Sequence, residues 1–282
     1  ILPQLLEKEY YTLGKAANYS VSRISGLVGY MLAGGVIALI GAVGALWIDA
    51  ATFLISSAII WSIRYKENLQ GAKQTVKGVI QDFAEGFRFI RASRTIQTVS
   101  LIGLLINFGI MPLTVFQTPY VSDYLKMGPE TLSYIKILTS VGMITGSALL
   151  PKLGKIKTPV IAVAAGVIMG AALIEMSIAQ SLSTPVLKMG ILTLSMLSIG
   201  FGGGLLNVII GSSVMKVVPK EMMGRISGFL TAMMQASMPV ASFICSALAV
   251  YFHIPHILVF FGSMTLICSL ALYFRKKLDA LS

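Results

Sequence analysis

Residues 158–179 read TPVIAVAAGVIMGAALIEMSIA, a run in which Glu175 is the only charged side chain. A transmembrane helix needs about 20 consecutive, mostly apolar residues, so this run is long enough to cross a bilayer. Its polar and apolar residues do not alternate as they would in a strand of a transmembrane barrel. The run therefore predicts a membrane-spanning α-helix.

Similar runs recur along the whole chain of 282 residues. The composition agrees, because 56% of the residues are hydrophobic, only 12% are charged and the mean hydropathy is +0.84. A soluble domain carries roughly twice that share of charge. We therefore predict an all-α integral membrane protein with about eight transmembrane helices. The predicted spans are 18–40, 43–63, 98–120, 133–151, 158–179, 187–211, 226–250 and 255–274.

The distribution of basic residues predicts the orientation of these spans. The formal net charge is +11, and the Lys and Arg residues occur in short clusters between the apolar runs. With a cytoplasmic N-terminus, 19 of the 22 Lys and Arg lie on the cytoplasmic side, and only Lys126, Lys136 and Lys188 lie outside. The positive-inside rule thus predicts a multi-pass protein with both ends in the cytoplasm. The same rule explains the basic charge by the orientation of the chain in the lipid bilayer. We therefore expect no nucleic-acid partner.

One long polar segment, residues 64–97, separates the second span from the third. Part of it is amphipathic, with apolar residues at helical spacing: Val76, Val79, Ile80, Phe83, Phe87 and Ile90. Such a helix could lie along the inner membrane face and offer basic side chains to lipid phosphates: Lys77, Arg88, Arg91 and Arg94. The simpler interpretation is a linker helix between two bundles. The predicted organisation is two helices in 1–63, a cytoplasmic linker in 64–97 and six helices in 98–282.

Four short motifs resemble one branch of a transporter family. GYMLAGG at 29–35 resembles the GPxxxGG antiporter motif of the fifth helix of multidrug-efflux members of the major facilitator superfamily. IDAATF at 48–53 resembles a signature at the start of the sixth helix of macrolide and drug exporters. AEGFRFI at 84–90 resembles their central linker, and VPKEMMGR at 218–225 resembles the loop before their eleventh helix. In the first motif Gly29, Gly34 and Gly35 match, while Tyr30 stands where the motif has proline.

This resemblance implies the last eight of twelve helices, which form an incomplete N-terminal bundle and a six-helix C-terminal bundle. It implies proton-coupled efflux of a small amphipathic molecule, such as a drug or macrolide, across the plasma membrane by alternating access. We expect no cofactor and no metal. Because the first four helices would be missing, we expect that the chain alone does not transport and that these N-terminal helices are its partner.

Two acidic residues within predicted spans are candidates for proton coupling, because an ionisable group inside a membrane is functional by default. Glu175 lies near the outer end of its span, and Asp49 lies about 9 Å inside the outer end of the second span. Each also has a structural interpretation: Glu175 could extend to the interface, and Asp49 could form an interhelical hydrogen bond.

Four amide side chains within spans are candidates for lining a substrate cavity: Asn107, Gln117, Asn207 and Gln235. Each could hydrogen-bond a substrate, and each could equally join two helices.

Two other functional classes remain as alternatives. A membrane-embedded, lipid-modifying enzyme would need acids, histidines or a nucleophile gathered near one interface. The sequence shows no such cluster, since His253 and His256 have no third metal ligand nearby. We therefore expect no enzyme. A non-transporting, truncated remnant or membrane scaffold is the second alternative.

Overall fold

The computed structural model describes residues 10–62, 76–128, 130–153 and 156–274. These residues form helices and no strands. The α-helices are α1 (Tyr11–Ser62), α2 (Val76–Ala92), α3 (Arg94–Pro119), α4 (Glu130–Leu149), α5 (Thr158–Ala179), α6 (Pro185–Val217), α7 (Met223–Ala249) and α8 (Ile254–Phe274). A π-helical turn, Tyr120–Leu125, extends α3, and short 3₁₀ turns occupy Leu150–Leu153 and Lys220–Met222.

Six helices of the described residues are long and apolar enough to cross a membrane. They are Arg94–Leu125, Glu130–Leu153, Thr158–Ala179, Pro185–Val217, Met223–Ala249 and Ile254–Leu272. They correspond to the last six predicted spans, so the all-helical membrane fold is confirmed.

The first two predicted spans both fall on α1. The helix is broken at Gly41, whose φ of 73° and ψ of 172° are not helical. This break lies between the predicted spans 18–40 and 43–63. After it, Val43–Ile59 forms a shorter apolar helix. The total of eight spans therefore stays a prediction.

Local sequence explains where several helices begin. Ser93 caps α3, because its hydroxyl accepts a hydrogen bond from the Ile96 backbone N–H at 3.3 Å. Proline stands in the first turn of α5 and of α6. Its missing N–H costs nothing there, because first-turn N–H groups have no partner within the helix.

The backbones of α4 and α6 touch through glycine. A Cβ added to any of four glycines would come within 3.0 Å of a backbone oxygen of the other helix. Small residues four apart let helices in lipid approach this closely, which increases their dispersion contacts. These glycines are Gly142 and Gly146 on α4 and Gly200 and Gly204 on α6. A similar approach joins α5 to α8 at Gly170 and Gly262.

The helix α1 packs against this pair near its start. The hydroxyls of Ser20 and Ser147 lie 2.8 Å apart and join α1 to α4. The Tyr19 hydroxyl donates to the sulfur of Met143, also on α4, at 3.5 Å. Helices α1, α4 and α6 therefore meet at one junction.

The amphipathic helix α2 packs against the bundle itself. The side chains of Val76–Phe83 are not among those that the structure describes. The packing is therefore given for the C-terminal half of α2. There Glu85 forms an ion pair with Arg225 at 3.2 Å, and the Phe87 ring meets the Phe229 ring at 6.5 Å. Ile90 is buried in a cluster formed by the ends of α3, α6 and α7. The basic side chains Arg88, Arg91 and Arg94 stay exposed. Part of the apolar face that predicted a membrane-surface helix thus contacts protein.

The loops fall at two ends of the bundle. At one end, which we call the basic end, α1 begins, α2 docks, α6 ends and α7 begins. At the opposite end, the Lys188 ammonium donates to the Leu125 carbonyl at 3.2 Å, and the Tyr124 hydroxyl lies 3.5 Å from His253. This grouping follows the charge distribution that predicted the orientation.

The α4–α6 contact predicts different effects for two glycines of one helix. Gly204→Ala would place a methyl group against the α4 backbone, and such overpacking costs about 1–3 kcal/mol. Gly190→Ala on the same helix meets nothing within 4 Å and gains up to about 1 kcal/mol of helix propensity. Thermal unfolding of both variants in detergent measures the difference. Equal changes in melting temperature would rule out the backbone contact.

Candidate functional site

A cavity of about 630 Å³ lies at the basic end, between the first part of α1, the end of α6 and the start of α7. Its wall combines two lysines, small polar side chains and apolar groups. The lining residues are Lys15, Asn18, Asn207, Ile210, Gly211, Val214, Met215, Lys220, Met223, Gly224, Ser227, Leu230, Thr231 and Met234.

The cavity extends deep into the bundle. At 1.5 Å per residue, Asn207 lies about 15 Å from the end of α6 at Val217. Met234 lies about 17 Å from the start of α7 at Met223. Asn207 and Met234 thus lie well inside α6 and α7, away from the helix ends at the mouth. Lys220 lies at the mouth, in the turn between α6 and α7.

Helical spacing explains how α6 and α7 build this wall. On α7, Ser227, Thr231 and Met234 recur at spacings of four and three, so they share one face. On α6, Asn207 and Gly211 are four apart and also share a face. The cavity thus lies between two faces that present hydroxyl, amide and thioether groups.

Lys15 is held in the wall by α6. A Cβ on Gly211 would come within 3.0 Å of three carbons of the Lys15 side chain, so the stem of this lysine lies across the Gly211 backbone. Lys15 is half-buried, and its neighbour Ala16 is buried in the core. The absence of a side chain at Gly211 therefore makes room for a lysine at the cavity wall.

Of the four predicted amides, Asn207 lines the cavity. Its amide nitrogen donates to the Gly203 carbonyl at 2.9 Å. Asn107 lies behind the wall, because its amide nitrogen donates at 3.2 Å to the carbonyl of Met234, which does line the cavity. Gln235 is exposed on α7 and is outside the lining.

Gln117, the fourth amide, is in the C-terminal part of α3. Its amide nitrogen is buried and has no hydrogen-bond partner among the described residues. It is not part of the cavity wall.

The two predicted acids lie away from the cavity. Glu175 on α5 accepts a hydrogen bond from the hydroxyl of Ser195, a fully buried residue of α6, at 3.3 Å. Asp49 is exposed on the second part of α1, where its backbone carbonyl accepts from the Thr52 hydroxyl at 2.7 Å. Neither carboxylate lines the cavity.

The antiporter-like motif lies within α1, before the break at Gly41. A Cβ on Gly29 would meet nothing within 4 Å among the described residues. The side chain of Tyr30 and the surroundings of Gly34 and Gly35 are not among the features that the structure describes.

Sequence reasoning missed Lys15, Lys220, Ser227 and Thr231 as site residues. In the sequence, the two lysines indicate orientation only. The hydroxyls at 227 and 231 carried a usable signal, because polar residues four apart in an apolar helix mark one face that avoids lipid.

No group of three or more metal-ligating side chains occurs among the residues that the structure describes. Cys245 and Cys268 are free thiols. The cavity, whose wall carries lysine, amide and hydroxyl groups, is therefore the candidate functional site.

Comparisons with known proteins bear on this architecture. Residues 1–242 match the sequence profile of the Major Facilitator Superfamily. A stretch of 174 residues is 23% identical to YvqJ of Bacillus subtilis (strain 168), described as an uncharacterized MFS-type transporter. The match covers 60% of this chain and 41% of YvqJ, so the chain spans about two-fifths of that relative.

A solved structure supports the fold. It is the crystal structure of a bacterial homologue of the iron transporter ferroportin in its outward-facing state. The two folds agree with a TM-score of 0.61 at 14% sequence identity, over 97% of this chain and 65% of the other. At that identity the similarity concerns the fold alone.

A water-filled cavity predicts unequal reactivity of two engineered thiols. After Cys245→Ser and Cys268→Ser, a thiol at Thr231→Cys should react with a water-soluble maleimide about tenfold faster, or more, than one at Ser195→Cys, since reaction needs a solvated thiolate. Thr231 lines the cavity, and Ser195 is fully buried between α5 and α6. Mass spectrometry of the chain in nanodiscs measures both rates. A slow Thr231→Cys would show that water does not reach this face of α7.

Proposed function

This chain belongs to the Major Facilitator Superfamily, and we propose that it forms part of a secondary transporter that exports a small amphipathic molecule by alternating access, driven by protons. Membership of a transporter family supports transport rather than enzyme catalysis. The complete activity is our proposal, because the chain spans only part of the proteins that it resembles.

The observation that carries the proposal is the position of the cavity between α1 and the pair α6 and α7. In transporters built from two bundles, the substrate site lies near the membrane midplane between them. We assign residues 1–63 to the N-terminal bundle, 64–97 to the cytoplasmic linker and 98–282 to the C-terminal bundle. The cavity then lies between elements of both bundles, as alternating access requires.

The chemistry of the wall suits an amphipathic molecule. Lys220 lies at the mouth, hydroxyl and amide groups occur along the wall, and the apolar Met234 lies deepest on α7. We propose that Asn207 contacts substrate and that Asn107 supports the wall through Met234. Gln117 and Gln235 lie outside the lining, so we do not assign them to this cavity.

For proton coupling, Glu175 has a physical connection to the cavity. Glu175 is hydrogen-bonded to Ser195 of α6, and Asn207 lies about 18 Å further along α6. A change in the charge of Glu175 would alter this contact between α5 and α6. We propose Glu175 as the main proton site and Asp49 as the second candidate. We propose that the antiporter-like motif, with Gly29, Tyr30, Gly34 and Gly35, takes part in the exchange of substrate for protons.

The proposal includes the setting. With the basic end in the cytoplasm, the cavity opens inward, as loading for export requires. We therefore propose the plasma membrane as the location, with both chain ends cytoplasmic and N-terminal helices as the partner that completes the cavity.

Iron, the cargo named for the ferroportin relatives, fits this cavity poorly. Iron sites use carboxylate, imidazole or thiolate ligands. Two ammonium groups line the cavity, and no carboxylate, imidazole or thiol of the described residues does. The positive charge would repel a metal cation.

Transport assays on the complete gene product that contains this chain test the proposal. In proteoliposomes with an imposed pH gradient, we expect uptake of amphipathic dyes that a protonophore abolishes. Asn207→Leu should slow it about tenfold, the effect of losing one hydrogen bond of roughly 1.4 kcal/mol. Gln180→Leu, an amide at the far end of α5, is the matched control and should transport normally. Absence of dye transport in the wild-type protein would favour the scaffold or remnant.

Coupling is tested separately with Glu175→Gln, which keeps the hydrogen bond with Ser195 but cannot titrate. We expect it to abolish uptake driven by the pH gradient and to preserve exchange of labelled for unlabelled dye. Asp49→Asn is the comparison. If Glu175→Gln responds to the gradient like the wild type, Glu175 is not the proton site.

A further inference from the structure

The charged residues in the described lining of the cavity are both lysines. Lys15 and Lys220 both line it, and no carboxylate of the described residues does. Asn18, Asn207, Ser227 and Thr231 add neutral groups that can donate hydrogen bonds. A narrow cleft with one sign of charge and low-dielectric walls concentrates ions of the opposite sign.

The acid that α2 brings to this end does not offset these lysines. Glu85 pairs with Arg225 at 3.2 Å on the surface, outside the cavity lining. Within the described part of the chain, neither Lys15 nor Lys220 forms an ion pair. No described carboxylate therefore neutralises the charge of either lysine.

Lys15 is also placed differently from a lysine that only sets orientation. A lysine near a helix end usually extends its ammonium group toward the lipid headgroups. Here the stem lies across Gly211 of α6, so the side chain follows the wall between α1 and α6. Lys15 is thus a residue of the cavity wall, with its stem packed on protein.

We propose that this cavity binds the anionic group, a carboxylate, sulfonate or phosphate, of an amphipathic substrate, and that Lys15 and Lys220 select for it. The inference rests on the proposed function and names its substrate class. The anionic group lies near the mouth between the two lysines, and the apolar part extends toward Leu230 and Met234. Cationic amphiphiles of equal size are disfavoured, because they meet like charge at the entrance.

The experiment is a fluorescence titration of the complete gene product that contains this chain, in nanodiscs of zwitterionic lipid, with three related probes. Dansylglycine is anionic, its methyl ester is neutral and dansylcadaverine is cationic. We expect dansylglycine to bind about tenfold tighter than the ester, in the range of a single charge-assisted contact, and dansylcadaverine to bind weakest.

Matched lysine variants locate the effect. Lys15→Gln and Lys220→Gln should each weaken dansylglycine about tenfold and leave the ester unchanged. Lys152→Gln removes the same charge from an exposed site at the basic end, outside the cavity, and should change neither. Lys15→Arg keeps the charge and should retain preference for the anion, which separates lost charge from lost folding.

The outcomes distinguish the two proposals. Equal binding of all three probes, or equal effects of Lys15→Gln and Lys152→Gln, overturns anion selection and leaves the transporter proposal intact. Binding of none of them overturns the cavity as a ligand site, on which both proposals depend.

A last arm of the experiment replaces part of the lipid with phosphatidylglycerol. If that lipid competes with dansylglycine in the wild type but not in Lys15→Gln, the anion bound is a lipid headgroup; without competition it is a soluble substrate.

Discussion

The close approach of α4 and α6 sets the positions of the other helices around the cavity. Gly200 and Gly204 bring the two backbones together, and Gly211 lies seven residues beyond Gly204 on nearly the same face of α6. At the first two positions the missing side chain makes room for the α4 backbone, and at the third it makes room for the stem of Lys15 on α1. One glycine-lined face therefore joins α6 to two different helices. Because α1 also contacts α4 through Ser20 and Ser147, this junction fixes one wall of the cavity.

Much of the fold could be predicted from the sequence, because hydropathy and charge report on lipid directly. The last six spans and the helical break near residue 41 agree with the structure. Residues of the site were harder to predict, since these helices are apolar on nearly all sides and periodicity does not show which face meets which neighbour. Of the four amides that are candidates for a cavity, Asn207 is in this lining, whereas Asn107, Gln117 and Gln235 are not. The sequence does not predict Lys15 and Lys220 as site residues for a different reason. The positive-inside rule already explains a charge at a helix end, so it gives no sign of a second role.

The helix α2 illustrates a second limit of sequence patterns. Its amphipathic sequence correctly predicts a helix, but the end of a helix bundle and the surface of a membrane both offer apolar contacts. The structure pairs Ile90 and Phe87 with the bundle, and the ion pair between Glu85 and Arg225 adds a specific attachment. Such an exposed ion pair contributes only about 0–1 kcal/mol, so the buried apolar cluster supplies more of the attachment. Arg225 directly follows Gly224 of the cavity wall, so α2 is attached beside the mouth.

This arrangement gives the basic charge two compatible roles. By the positive-inside rule, lysine and arginine at one end of a bundle favour one orientation, which requires only that the charges stay on one side of the membrane. Nothing in that requirement prevents some of them from facing a cavity between helices. Lys15 and Lys220 do so, while Arg88, Arg91 and Lys152 remain exposed on the outside. Where the polypeptide must keep cations at its cytoplasmic end for topology, an inward-opening cavity at that end is positively charged unless acids line it. A carboxylate would therefore have to be added to make such a cavity accept cations, and the described lining contains none.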